Sequence, residues 1–407
     1  MTADADRFVA EARTTYIAAN AATLRWLLAR PALKGAFLDT KVNSLTLADY
    51  GPTDGRRGPD FTYGWIQGRG LEALATHASF FAERDNPLAE ALDTRATTLF
   101  QRLEAMQQET GHGYFCYDAD LRPVWFDTRE QAHPQTPAPD IYTYSDAFFA
   151  KGLVAAAARY APERLPAHLG YLAEVIAAIE DNHFQMDESR PLSRETGAAQ
   201  PADFGPRMIL LGAAGLLARI GQPQSAAFAD RFIDHVLDQH YDPKTGLLAN
   251  VPGEDACNTG HAIEFVGFAL DHLGGNAPAD RVLQLERILL ASFRRGFVGP
   301  GISVAVSISS GEAISPYCPW WSLPETIRAA ALCHALTGSD DTLAVWRQAH
   351  EAFFRHYWRG SPPLAYQTLT KSGPVDFVPA TPDLDPAYHT GLSLLGAIES
   401  RPHGPSG

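Results

Sequence analysis

The 407-residue chain has only four cysteines, at 116, 257, 318 and 333, and no two of them stand in CxxC spacing. That excludes a disulfide-stapled scaffold or a zinc ribbon and reads as free thiols of a reducing compartment. Positive charge is also scarce: 33 Lys and Arg against 47 Asp and Glu leave a net charge of −14. Such a field repels phosphate, so neither nucleic acid nor an anionic membrane is an expected partner, although a local basic pocket stays open. No apolar run approaches the roughly 18 residues of a membrane span. The opening "MTADADRFVAEARTTY" is acidic where an export signal needs basic residues followed by an apolar run, so a cytoplasmic protein is expected. Several motifs are missing as well. There is no Gly-rich fingerprint after a strand, no GxxxxGK[ST], no HExxH and no GxSxG. The chain is therefore not read as doubly wound, as a zincin or as an elbow-type serine hydrolase.

What the sequence does contain is helical periodicity. Apolar residues recur at spacings of three and four over 7–29, 65–83, 87–105, 144–161, 168–181, 205–220, 224–241, 261–273, 279–293, 323–338, 341–358 and 386–400. Short turns alternate with long connections rich in Gly, Pro and aromatics, at 32–60, 106–141, 182–203, 241–257, 295–322 and 358–386. Twelve helices with six long connections predict an all-α fold, an (α/α)6 barrel or alpha/alpha toroid of six hairpins with the long loops at one end. The expected organisation is a single catalytic domain over 1–407, with a flexible tail from about 400 to 407. Within the second long connection, the aromatic run 111–127 with "DAD" at its turn predicts a short β-hairpin.

Ionisable groups inside these apolar helices are the candidates for chemistry. In "NTGHAIEFVGFALDHL" Asn258 or Thr259 suits a helix cap, and His261 and Glu264 then share one face. Three readings of that pair stand side by side: a structural hydrogen bond, two metal ligands, or a histidine made more basic by its carboxylate. His389, flanked by Tyr388 and small residues, stands where a loop enters the last helix; a lone histidine there is either a packed residue or faces a cavity. Arg69, with Trp65 and Gln67, is either paired among apolar neighbours, where it suits sugar hydroxyls or an aldehyde oxygen, or reaches to the surface. Trp320, Trp321 and Glu325 put aromatics beside a carboxylate, a combination that suits a sugar ring, and Tyr63, Phe115 and Tyr117 add to the same set. Asp146, Asp203 and Asp255 are the carboxylates an alpha/alpha-toroid glycoside hydrolase would draw on, with nothing to single out a pair.

Four of these segments, in this order, resemble the N-acylglucosamine 2-epimerase family, which includes renin-binding-protein type epimerases, cellobiose 2-epimerases and mannose or sulfoquinovose isomerases. "YGWIQGRG" is similar to its WxQGR segment, "NTGHAIEF" to NPGHxxEW, "WWSLPETIRA" to WWPxxEA, and "AYHTG" to PYHxPR. The resemblance implies a single (α/α)6 barrel whose two histidines move a proton at the carbon beside the carbonyl of an open-chain sugar. Carried to this chain, His261 and His389 are the acid–base pair. Arg69 stabilises charge on the carbonyl oxygen, and Glu264 orients and charge-tunes His261. Tyr63, Gln67, Arg207, Trp320, Trp321, Glu325 and Tyr388 bind substrate. Two departures are visible. Thr390 and Gly391 replace the late Pro-Arg, and Ile209 stands where the isomerase branch has a histidine, with Arg207 just upstream. The second leans the expectation toward epimerisation of N-acetylglucosamine and N-acetylmannosamine, and the absent late arginine leaves an altered substrate or a member that has lost activity open. An aldose–ketose isomerase of mannose-like sugars is the alternative, and a glycoside hydrolase or a non-catalytic carbohydrate-binding protein comes after it. The resemblance implies no required cofactor and no metal, a small-molecule sugar as ligand and a homodimer. ATP acts as an allosteric effector in some N-acyl relatives, and no motif here points to it.

Overall fold

A computed structural model describes residues 3–378 and 380–400. The tail expected beyond about 400 lies, from 401, outside the described residues. The fold is all-α. Thirteen α-helices occur among the described residues: α1 Ala3–Ala29, α2 Gly64–Phe81, α3 Asn86–Thr110, α4 Tyr144–Tyr160, α5 Leu165–Glu180, α6 Arg194–Ala199, α7 Gly205–Arg219, α8 Phe228–Gln239, α9 Thr259–Leu273, α10 Ala279–Gly296, α11 Ser322–Thr337, α12 Asp340–Ala352 and α13 His389–Glu399. All twelve expected helices are present. The addition is α6, a six-residue helix in the third long connection, started by Ser193 accepting from the Thr196 N–H. The expected helix 341–358 leaves α geometry after Ala352 and finishes as a π turn over Phe353–Tyr357.

The helices pack in pairs of the (α/α) barrel type: α2 with α3, α4 with α5, α7 with α8, α9 with α10, and α11 with α12. One member of each pair is buried nearly all round. Only Trp65, Thr76 and Ser79 of α2 escape burial. Its counterpart carries a single apolar stripe, as in α10, which buries Val282, Leu285, Ile288, Leu289 and Phe293 while its charged residues face away.

Contacts divide the chain into two compact units. The first holds the described residues up to Thr23, those from Ala202 to 378 and those from His389 onward. The second holds Leu24–Pro201 and Ala380–Tyr388. In the second unit α2 packs on α3 and α4, and α4 on α5. Its long connections form a small antiparallel sheet in the order Thr62–Tyr63, Cys116–Tyr117, Pro123–Phe126, Ala132–Pro134. The expected hairpin is part of it: Cys116 pairs with Val124, and Asp118 Oδ1 accepts from the Asp120 and Arg122 N–H groups to close the turn. In the first unit α9 packs against α7, α10 and α11, and α13 against α11. Here two short strand pairs deliver the chain to helix starts. Ala256–Cys257 pairs with Val306–Ser307 just before α9, and Cys318–Pro319 pairs with Thr368–Leu369 just before α11. No helix among the described residues is long and apolar enough to cross a membrane.

Candidate active site

The site in the first unit is assembled from the first turns of α9, α11 and α13. Asn258 caps α9: its Oδ1 accepts from the His261 N–H at 3.1 Å, while its own N–H is held by Asn250 Oδ1 at 2.7 Å. Gly260 follows because nothing larger fits. A Cβ there would lie 2.6 Å from the Trp321 ring. That close approach lets Trp321 reach both histidines, with ring centroids 5.2 Å from His261 and 5.9 Å from His389. Trp320 meets His389 edge-on at 6.3 Å. His261 is half-buried and His389 is buried, and these sequence-distant histidines both lie against the same indole.

Beneath them the electrostatics centre on Glu325, which is 1% exposed. Its Oε1 is 3.0 Å from His389 Nδ1, and its Oε2 is paired with the Arg328 guanidinium. Burial pushes this carboxyl up, but the Arg328 charge and the His389 hydrogen bond outweigh it and hold the group below the usual carboxylate range. Glu264, equally buried, brings its Oε1 to 3.9 Å from the same His389 Nδ1. An ionised Glu325 accepts from Nδ1–H, the tautomer in which Nε2 of a neutral His389 carries the basic lone pair. Donor atoms of Glu264, Glu325 and His389 lie within 4.8 Å of one another, a spacing that one cation could share. One member of this group, Glu325, is paired with the Arg328 guanidinium.

Glu325 was expected to bind substrate, yet both its oxygens are engaged by protein groups. Glu264, expected to tune His261, also approaches His389.

Other expected residues belong to the second unit, where Arg69 is the centre of an aromatic cage. Its guanidinium carbon lies 4.0 Å from the Phe148 centroid, 5.1 Å from Trp65 and 5.5 Å from Tyr388. The Tyr388 hydroxyl accepts from Lys151, whose ammonium also lies 3.2 Å from Glu72 Oε2. Gln67 is spent on structure: its amide accepts from Leu38 N–H at 2.8 Å and donates to Leu38 C=O at 3.1 Å. Tyr63 is 1% exposed, donates its hydroxyl to the Arg56 carbonyl and packs edge-on against Phe115. These contacts make both residues supports of the fold. Arg207, in the first unit, turns toward α8, 5.8 Å over the Phe232 ring, and its charge holds His235 and His240 below their ordinary pKa after burial has done most of that.

The aspartates available to a hydrolase are also committed. Asp146 forms the capping box of α4 and accepts from Gly113 N–H and Tyr171 O–H. Asp203 caps Gly205, and Asp255 binds Ser307 and Ser309. Sequence reasoning passed over Arg328, Lys151, Glu72 and Glu188. For Arg328, Lys151 and Glu72 the available signal was a charge within a helix buried on nearly every face; Glu188, in a connection, gave none.

No protein-family model matches the chain, and no curated protein matches it in sequence. Solved structures do. The cellobiose 2-epimerase of Spirochaeta thermophila aligns with a TM-score of 0.72 at 15% identity over 98% of both chains. A D-mannose isomerase aligns with 0.72 at 12% identity, over 95% of this chain and 97% of the other. The cellobiose 2-epimerase of Bacillus thermoamylovorans aligns with 0.70 at 16% identity, over 97% and 99%. At such identities the likeness establishes the fold: from end to end this chain shares the architecture of sugar epimerase and isomerase structures.

Proposed function

We propose that the chain is a sugar 2-epimerase acting on an open-chain aldose, with N-acetylglucosamine and N-acetylmannosamine as the favoured pair. The observation that carries this reading is the pair of histidines on Trp321, one of them backed at Nδ1 by Glu325. One histidine nitrogen takes the C2 proton. The C–H electron pair becomes the C1–C2 double bond of an enolate, and the carbonyl oxygen gains charge. The other histidine returns a proton to C2 from the opposite face, and the carbonyl re-forms. The indole supplies an apolar surface for the sugar chain. Arg69 keeps, within this proposal, the role of stabilising charge on the carbonyl oxygen. The commitment of Asp146, Asp203 and Asp255 to local hydrogen bonds favours this reading over a carboxylate-pair hydrolase.

The likeness to a D-mannose isomerase supports a second reading, in which the enediol is protonated at C1 and a ketose forms. Proton NMR in heavy water with N-acetylmannosamine, N-acetylglucosamine, mannose and cellobiose separates the two. Deuterium at C2 together with the opposite epimer supports epimerisation and names the substrate; fructose from mannose moves the assignment to isomerisation. His261→Asn and His389→Asn are each expected to slow exchange by at least about 10²-fold. Unchanged exchange in either variant removes that histidine from the chemistry.

A further inference from the structure

Arg328 stands one turn beyond Glu325 on α11 and is 8% exposed. A guanidinium this deep is costly unless it is paired and its surroundings are shaped for it. Here they are. The side chain lies 4.1 Å over the Phe268 ring of α9, and two neighbouring helices leave it room. A Cβ on Gly267 of α9 would come 3.2 Å from Arg328 Nε, and one on Gly396 of α13 would come 3.0 Å from its Cδ. Three helices thus converge on a notch filled by one arginine, and the arginine's charged end is directed at Glu325.

We infer that Arg328 is a positioning residue. By occupying Glu325 Oε2 it keeps that carboxyl ionised, so that Oε1 accepts from His389 Nδ1–H and Nε2 is left as the acid–base nitrogen. The inference rests on the epimerase or isomerase reading for its catalytic meaning, but the hydrogen-bond arrangement can be tested without any substrate. Remove the guanidinium, and a carboxyl so deeply buried takes up a proton. Its O–H then donates to Nδ1, and the imidazole proton moves to Nε2, the tautomer that cannot act as a base there. Glu264 on α9 is a second carboxyl near this imidazole, 3.9 Å from the same Nδ1. His261, which shares the Trp321 ring with His389, is a further titratable group near this cluster.

The experiment uses the full chain labelled with ¹⁵N-histidine, with His389→Asn to assign the His389 signals. Long-range ¹H–¹⁵N correlations at neutral pH should show His389 protonated on Nδ1 in the wild type and displaced toward the Nε2–H form in Arg328→Met. Arg328→Lys, which keeps the charge, should restore the wild-type pattern. On whichever sugar turns over, Arg328→Met should lower kcat by about 10²-fold or more while KM stays within about twofold. If Arg328→Met does not fold, Arg328→Gln removes the charge while leaving a donor for Glu325. An unchanged His389 tautomer in the neutral variants overturns the inference even where the wild type turns over sugar. A shifted tautomer supports it even where no sugar tried is a substrate.

Discussion

A carboxyl group buried among donors need not be a carboxylate. Glu188 lies in the connection between α5 and α6, with Oε1 accepting from Trp65 Nε1–H at 2.7 Å and from Ser145 N–H at 3.1 Å; Oε2 is 2.6 Å from Ser145 Oγ. Burial pushes its pKa up to about 8, against the pull of these hydrogen bonds. In its acid form the O–H donates to Ser145 Oγ and both contacts of Oε1 survive. An unfolded glutamate titrates near pKa ~4.3, so the native state holds the extra proton and stability falls as pH rises from there to about 8, then levels. Glu188→Gln keeps the shape without the titration. Its melting temperature relative to wild type should therefore rise with pH, from about equal at pH 5 to higher at pH 8. A difference that does not change with pH would show that Glu188 is ionised throughout. Trp65 links this group to Arg69, so Glu188→Gln should keep the Arg69 cage. Such residues are poorly legible in sequence. His261 and Glu264 were legible because three-residue spacing places both on one face. Gln67 has the right chemistry for a sugar, but only its orientation toward the Leu38 backbone reveals its use. Arg328 lies inside a quoted motif, yet Glu and Arg three apart read as an ordinary surface pair until α11 is known to be buried on every face.

Between elements, the contact that governs the second unit is the crossing of α2 and α4. A Cβ on Gly68 would stand 2.7 Å from the Phe148 carbonyl, and one on Gly152 would stand 2.5 Å from the Gly68 oxygen. The two helices therefore touch backbone to backbone, and neither obstacle is a side chain that can swing aside. Gly68→Ala should lower stability by about 1–3 kcal/mol or more, the range for overpacking a filled core, as read from denaturant midpoints. Gly70→Ala should cost less, since its closest obstacle is the flexible end of Leu38. Equal losses would mean that the crossing yields as easily as a side chain. The glycines of "IQGRG" thus have a packing reason. Helices of three turns and more were legible because periodicity accumulates over their length. The six residues of α6 are too few to establish a period, and strands of two to four residues are too short for alternation to show. The hairpin at 116–124 was legible from its aromatic run and its Asp-rich turn, signals that need no length.

Across the whole chain, counting helices and long connections was enough to reach the (α/α) class, because that architecture is a count. Which distant segment completes which unit is not a count, and periodicity is silent on it. Residues 380–388 return to complete a unit otherwise made of Leu24–Pro201, almost two hundred positions upstream. Their anchor is a buried ion pair: Lys41 Nζ is 2.7 Å from Asp383 Oδ1, with side-chain exposures of 2% and 1%. Thr40 donates its hydroxyl to Asp383 Oδ2, and Leu384 N–H donates to the Thr40 carbonyl. The same ammonium lies 4.7 Å over the Tyr63 ring, which gives that residue a structural purpose. Anchored this way, the segment ends at Tyr388, against Arg69 and Lys151. Asp383→Ala leaves Lys41 buried without its carboxylate, and loss of one partner from such a pair costs about 3–5 kcal/mol. Replacing both ends, as in Lys41→Met with Asp383→Leu, removes the stranded charge and should recover most of that loss, because a buried pair is worth little more than well-packed apolar groups. Equilibrium unfolding in urea, followed by tryptophan fluorescence, measures both. A single-variant loss below about 1 kcal/mol, the range of an exposed pair, would mean that water reaches Lys41. A double variant no better than Asp383→Ala would mean that the hydrogen bonds from Thr40, rather than the charge pair, hold the returning segment in place.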